Sequence, residues 1–247
     1  QLGAVRFLVG LGGSATSDGG TGMARALGYR FLDAAGRELP EGGGALRRLA
    51  RIDTSGFDPS WLLLDVVAVT DVDNPLLGER GAARVYGPQK GASPEQVEVL
   101  EQGLTRLAEV AARDLGLDGG ALPGAGAAGG LGFGLHAFLG ARLEPGAAAV
   151  AEAVGLPARL AGAGMLVTGE GRLDAQSGMG KAPAVAGRLA RAAGVRAVAL
   201  VGSVGEGWQA LLGDAFDEVR VTTPAGLAPA AAMADAATLL AEAAAGL

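Results

Sequence analysis

Two carboxylates, an arginine and a lysine fall within twelve residues in the stretch Thr168-Gly169-Glu170-Gly171-Arg172-Leu173-Asp174-Ala175-Gln176-Ser177-Gly178-Met179-Gly180-Lys181. Phosphoryl transfer uses such a set, because its catalysis is mostly positioning and neutralising charge on phosphate oxygens. Lys181 follows Gly180 at the start of an expected helix, in the role of a phosphate-binding lysine. The spacing is not that of a Walker A loop: Ala175 stands where its first glycine is needed, and Ala182 where Ser or Thr is needed. The bland reading is a solvated loop with local ion pairs of little worth.

A second stretch, Val9 to Gly22, carries six glycines and a single charge, Asp18. It follows an apolar run, Val5 to Val9, that suits a strand buried on both faces, and precedes a short helical pattern, Met23 to Leu27, closed by Gly28. Strand, glycine loop and helix together make an anion site, since glycines let backbone N–H groups turn inward on a ligand. A tight turn in a glycine-rich chain is the competing reading. Two further polar turns stand out. Asp71-Val72-Asp73-Asn74-Pro75 ends the expected strand Leu62 to Thr70, where open α/β sheets bind ligands. Gly87-Pro88-Gln89-Lys90-Gly91-Ala92 presents Lys90. Of 20 basic residues only Lys90 and Lys181 are lysine, so a chain that uses arginine for surface charge keeps its compact ammoniums in glycine-flanked loops.

The elements that would position these loops alternate strand and helix. Tyr29 to Leu32 is a short expected strand with a turn at Asp33 to Gly36, and Glu41 to Gly44 is a break. Ser93 caps a helix with Pro94 at its first position, a face of Val97, Leu100, Leu104, Leu107, Ala111 and Leu115, and Gly116 as its stop. The glycine cluster Gly124 to Gly132 either admits a ligand backbone-first or lets helices pack closely. His136, on the apolar run Leu135 to Leu139, reads as a satisfied core residue. Glu144 to Val154 is an expected helix stopped by Gly155. Then come a strand Met165 to Thr168, the charged loop Gly169 to Gly180, a helix Ala182 to Ala193, strands Ala197 to Val201 and Glu218 to Val221, and an alanine-rich helix Ala225 to Ala245. The alternation predicts a mostly parallel sheet flanked by helices, with a boundary near Ala161 to Gly164.

Composition excludes several classes. At 247 residues with 49% hydrophobic content the chain buries a real core and is not disordered. No apolar run reaches ~18 residues and the start has no signal-peptide pattern, so the expectation is a soluble, cytoplasmic protein without a membrane role. Zero cysteines and one histidine remove thiolate chemistry and His-rich metal centres, leaving carboxylates and hence a hard ion such as Mg²⁺. A net charge of −6 and 4% aromatics argue against nucleic acid. Glycine, 44 of 247 residues, is about 18% of the chain against a typical ~7%, which discounts every glycine argument.

Gly10-Leu11-Gly12-Gly13-Ser14-Ala15 matches a dinucleotide fingerprint, with Asp33 near the ribose-binding position. An NAD(P)-binding oxidoreductase is therefore one reading. It requires a helix through Gly19, Gly20 and Gly22, at ~1 kcal/mol for each glycine. Gly124 to Gly129 repeats the pattern, but Ala121-Leu122-Pro123 before it is no strand.

Taken in order, Gly12 to Gly20, Asp71 to Pro75, Gly87 to Ala92, Gly124 to Gly132 and Thr168 to Pro183 resemble the bacterial-type glycerate kinases, which transfer a phosphoryl group from ATP to D-glycerate. The resemblance covers nearly the whole chain. It implies two α/β domains with a cleft between them, one Rossmann-like and split by insertion of the other. Residues 1–160 would then be most of the inserted domain, and 161–247 the C-terminal half of the Rossmann-like one. Under this reading Lys181 binds ATP phosphates, Arg172 the transferring phosphoryl or the substrate carboxylate, and Asp174 orients or deprotonates the attacking hydroxyl. Gly12, Gly13, Ser14, Asp18, Lys90, Gly178 and Gly180 bind substrate or phosphate, and Asp71, Asp73 and Glu170 are the Mg²⁺ candidates. A homodimer is one open assembly, and a noncatalytic sugar-acid or phosphate-binding module is the remaining alternative function. Two departures stand out. Ser17 replaces the family's usual Asn, and the family's leading segment with its Asp-Ser-Phe-Lys-Gly motif has no counterpart. With Gln1 opening almost directly on a strand, the expectation is the interior of a longer protein.

Overall fold

The computed structural model describes residues 3–247; Gln1, on which the expectation of a longer protein partly rests, lies outside them. The chain forms two compact units, residues 1–146 and 147–247.

The first unit runs β1 (Arg6–Gly10), α1 (Thr21–Ala26), β2 (Arg30–Leu32), β3 (Arg51–Asp53), β4 (Asp65–Thr70), α2 (Ala82–Tyr86), α3 (Pro94–Leu115), α4 (Ala127–Leu139) and β5 (Arg142–Pro145). Strands β1, β4 and β5 make a parallel sheet with β4 in the centre, and β2 and β3 pair antiparallel. Five of the six β4 residues, Val66 to Thr70, are buried, as a central strand between two neighbours requires. β1 corrects the expectation of a strand buried on both faces. Among the described residues it is an edge strand paired with β4, and Phe7 and Leu8 stay 39% and 40% exposed.

β4 also starts later than the sequence suggests. Leu62 and Leu63 lie in a 3₁₀ turn whose first N–H groups are capped by Asp58, which accepts from Ser60 N. α3 follows the local signals closely: the Ser93 hydroxyl accepts from Gln96 N, the Gln96 side chain accepts from Ser93 N, and Gly116 closes the helix in a left-handed conformation. Its buried face, Val97, Leu104, Leu107 and Val110, packs with Phe31, Phe133 and Phe138 into the main core of this unit. Tyr29 joins that core and donates its hydroxyl to Phe138 O at 2.9 Å; burial pushes its pKa up to about 12.

The glycine loop is held against α4 by backbone contact. Gly19 N donates to Gly129 O, and a Cβ at Gly134 would lie 2.5 Å from Gly19 O and 2.9 Å from Gly20 Cα. Both obstacles are main chain and cannot swing aside. Gly134→Ala is therefore expected to cost about 2 kcal/mol, read as a lower urea midpoint at unchanged m value.

The second unit comprises α5 (Gly146–Ala153), whose first residue closes the first unit, then α6 (Leu156–Leu160), β6 (Met165–Leu173), α7 (Ala182–Ala192), β7 (Arg196–Val204), β8 (Glu218–Val221), α8 (Pro229–Ala234) and α9 (Ala236–Ala245). β6, β7 and β8 form a parallel sheet in that order. Leu173, Ala197, Ala199, Val201 and Phe216 fill its core with α7. Three expectations need correction here. The helix expected from Glu144 begins at Gly146, because Glu144 and Pro145 pair with Val69 and Thr70 as the end of β5. The alanine-rich helix is two helices meeting at Asp235. Most consequential, β6 continues through Gly169-Glu170-Gly171-Arg172-Leu173, residues read as loop from their glycines. They pair with Leu200 to Val204 on β7. Tertiary pairing here overrides weak strand propensity.

Among the described residues, no helix is long and apolar enough to cross a membrane.

Candidate active site

In the first unit, the carboxyl ends of β1 and β4 open on a cavity of about 210 Å³. That is the size of a site for a small hydroxy acid. Its wall includes Gly12, Gly13, Ser14, Asp71, Lys90 and Ala128. Ligands of parallel sheets bind at this end of the strands.

Lys90 organises the cavity. Its Nζ donates to Ser14 Oγ at 2.8 Å and to Thr16 O at 2.6 Å, tying the turn before α3 to the glycine loop 74 and 76 residues away in sequence. Burial holds the ammonium below the ordinary lysine pKa, and the nearby Asp18 carboxylate opposes that shift. The same side chain lines a second, larger cavity of about 460 Å³ together with Ser17, Gln96 and Leu100. The loop itself does not open a helix at Gly12 or Ser14. α1 begins only at Thr21 and is six residues long, so the dinucleotide fingerprint lacks the helix N-terminus on which its pyrophosphate would rest. Asp33, the ribose-binding counterpart in that reading, is engaged in its own turn with Arg37.

Asp18 and Asp73 are committed elsewhere. Asp18 accepts from Gly20 N at 3.1 Å, Gly22 N at 3.0 Å and the Thr21 hydroxyl, and so caps the start of α1. Asp73 is 73% exposed and pairs with Arg80 at 2.6 Å. Asp71 is the carboxylate on the cavity wall. Among the described residues no three metal-ligating side chains converge. Mg²⁺ that travels with nucleotide phosphates needs only one or two carboxylates, however, and keeps several waters, so Asp71 suits that mode of binding. His136, half-buried, donates from Nδ1 to Ala141 O at 3.0 Å and has the structural role its apolar setting implies.

In the second unit, the strand conformation of β6 gives the charged residues a common direction. Side chains two apart on a strand share a face, so Glu170 and Arg172 point to one side, with Asp174 following directly beyond the strand end. Arg172 and Asp174 meet beside Gly205: a Cβ there would lie 2.9 Å from Arg172 Nε and 3.0 Å from Asp174 Cβ. Asp174 Oδ1 accepts from Gln176 N at 3.0 Å and Ser177 N at 3.3 Å, and the buried Ser177 hydroxyl accepts from Asp174 N in return. Glu170 Oε1 pairs with Lys181 Nζ at 3.3 Å, while its Oε2 is buried without a hydrogen-bond partner. Lys181 stands at the N-cap of α7. Gly178 donates nothing to this group; its carbonyl accepts from Arg188, and Gly180 turns the chain at φ +99°.

The structure thus groups Gly12, Gly13, Ser14, Asp71 and Lys90 in one unit and Glu170, Arg172, Asp174 and Lys181 in the other. Sequence reasoning missed Ala128 and Tyr86 on the cavity wall. Ala128 lies inside the cluster Gly124 to Gly132, whose role was open. Within that cluster Ala127 to Gly129 line the cavity, while Gly130 lets α4 approach the glycine loop. Tyr86, which donates to Asn74 Oδ1 at 2.6 Å, carried no sequence signal.

The model of the family described as the glycerate kinase family matches residues 1–247. The chain belongs to the glycerate kinase family. A glycerate kinase of Halalkalibacterium halodurans is 44% identical over 222 residues, 90% of this chain and 58% of that protein. The glycerate 2-kinase of Escherichia coli K12 is 44% identical over 204 residues, 83% of this chain and 54% of that protein. A crystal structure from Salmonella typhimurium LT2, assigned as a glycerate kinase 2, superposes with a TM-score of 0.80 at 41% identity, covering 98% of this chain and 63% of that one. The chain therefore spans just over half the length of these glycerate kinase relatives. The fold is mixed α/β with parallel sheets, as in that structure.

Proposed function

We propose that the full enzyme transfers the γ-phosphoryl group of ATP to a hydroxyl of D-glycerate. The observation that carries this is the Lys90 ammonium fixed between Ser14 Oγ and Thr16 O on a cavity also walled by Asp71, in a chain of the glycerate kinase family. Gly12, Gly13, Ser14 and Lys90 offer N–H, hydroxyl and ammonium donors to the acid group of the acceptor. Asp18 supports them by holding the glycine loop in shape.

Arg172, with its planar fork, and Lys181 neutralise the phosphates of the nucleotide. Gly178 and Gly180 shape the turn that presents Lys181. Asp174 takes the proton of the attacking hydroxyl. The acceptor oxygen forms its bond to the γ-phosphorus as the bond to the β–γ bridging oxygen breaks, and ADP leaves with that electron pair. Mg²⁺ arriving with ATP would supply neutralisation of phosphate charge; Asp71 in the first unit, or Glu170 beside Lys181 in the second, would hold it directly or through water. The Escherichia coli relative is named for transfer at the 2-position, which supports 2-phosphoglycerate as the product. The division of labour between an inserted domain (residues 1–160) and half of a Rossmann-like domain (161–247) is part of the same proposal.

Titration calorimetry tests the cofactor. ATP with Mg²⁺ is expected to bind the full enzyme and NAD not to bind; the reverse would overturn the kinase reading.

A further inference from the structure

Ala128 is the one described non-glycine residue with positive φ, at φ 53° and ψ 41°, inside α4. In this left-handed region the Cβ of an L-residue crowds the following carbonyl, and glycine is the cheap occupant. The chain is rich in glycine and places it at every other positive-φ position described. The next residue, Gly129 at φ +71°, has no room for a side chain either: a Cβ there would lie 1.9 Å from Thr16 O and 2.9 Å from Lys90 Nζ. Position 128 keeps a methyl group against its local conformational preference. It does so on the wall of the cavity shared with Ser14, Asp71 and Lys90.

We propose that Ala128 is a specificity-determining residue whose methyl closes the acceptor cavity to hydroxy acids one carbon longer than glycerate. The inference rests on the acceptor reading of that cavity. A methyl on the cavity wall discriminates through volume, and one methylene more or less in a hydrophobic pocket changes relative kcat/KM by about 10- to 200-fold.

The test compares kcat/KM for D-glycerate with that for the four-carbon acid D-erythronate in the full enzyme and its Ala128→Gly and Ala128→Ser variants, alongside their melting temperatures. Ala128→Gly is expected to raise Tm by about 2 °C through relief of the left-handed strain and to lower the glycerate preference about tenfold. Ala128→Ser keeps the Cβ and is expected to retain the preference within about twofold. An unchanged preference in Ala128→Gly, or the same loss in both variants, would overturn the inference while leaving the kinase reading in place. A fall in Tm for Ala128→Gly would show that the methyl packs the fold rather than selecting the acceptor. Failure of the wild-type enzyme to phosphorylate any hydroxy acid would remove the acceptor reading and this inference with it.

Discussion

Asp174→Asn is expected to lower kcat for glycerate at least ~100-fold, roughly 2.7 kcal/mol of barrier, while leaving stability nearly unchanged. The geometry makes the substitution a clean one. Both backbone bonds accepted by the Asp174 side chain go to Oδ1, from Gln176 N and Ser177 N. An asparagine oriented with its oxygen at that position keeps the cap, keeps the reciprocal bond from Asp174 N to the Ser177 hydroxyl, and loses only the charge and the basicity. Arg172, which adjoins Asp174 at Gly205, stays in place to bind phosphate. Single-turnover kinetics with matched urea midpoints separate the two effects. Near-normal turnover would remove Asp174 from the chemistry, and a large stability loss would assign it to the cap.

Lys90→Ala is expected to reduce kcat/KM for glycerate about 100-fold, mainly through the acceptor. The substitution removes the donor to Ser14 Oγ and Thr16 O and the positive charge on the cavity wall together. Lys90→Arg is expected to recover little. Gly129 already comes so close that even a Cβ there would approach Lys90 Nζ to 2.9 Å, and a planar guanidinium does not fit where a compact ammonium does. Steady-state kinetics over a range of glycerate concentrations check both variants. Lysine and arginine performing alike would mean that charge alone is required at this position.

The part of this account that was legible in the sequence is the part written locally. Ser93, Pro94, Gln96 and Gly116 mark both ends of α3 within a few residues of each end, and the structure uses them as caps. The scarcity of lysine picked out Lys90 and Lys181, and both hold defined positions, one between two loop atoms and one paired with Glu170. What stayed hidden depended on distant partners. Gly169 to Leu173 become strand because Leu200 to Val204 lie beside them, and only that conformation reveals that Glu170 and Arg172 share a face. The four residues of β5 acquire their register from Val67 to Thr70, more than 70 positions earlier. β1, apolar enough to be read as buried, lies at a sheet edge that its own composition does not announce. Ala128 was invisible for another reason: an alanine among glycines signals nothing until its backbone angles are known.

Identification of the product tests the central claim most directly. Full enzyme, ATP, Mg²⁺ and D-glycerate are incubated and the products followed by phosphorus NMR. The account predicts ADP and 2-phosphoglycerate appearing in equal amounts. The 3-isomer would keep the kinase and reject the proposed acceptor position; ATP left intact, or ADP formed without a phosphorylated acid, would contradict the account.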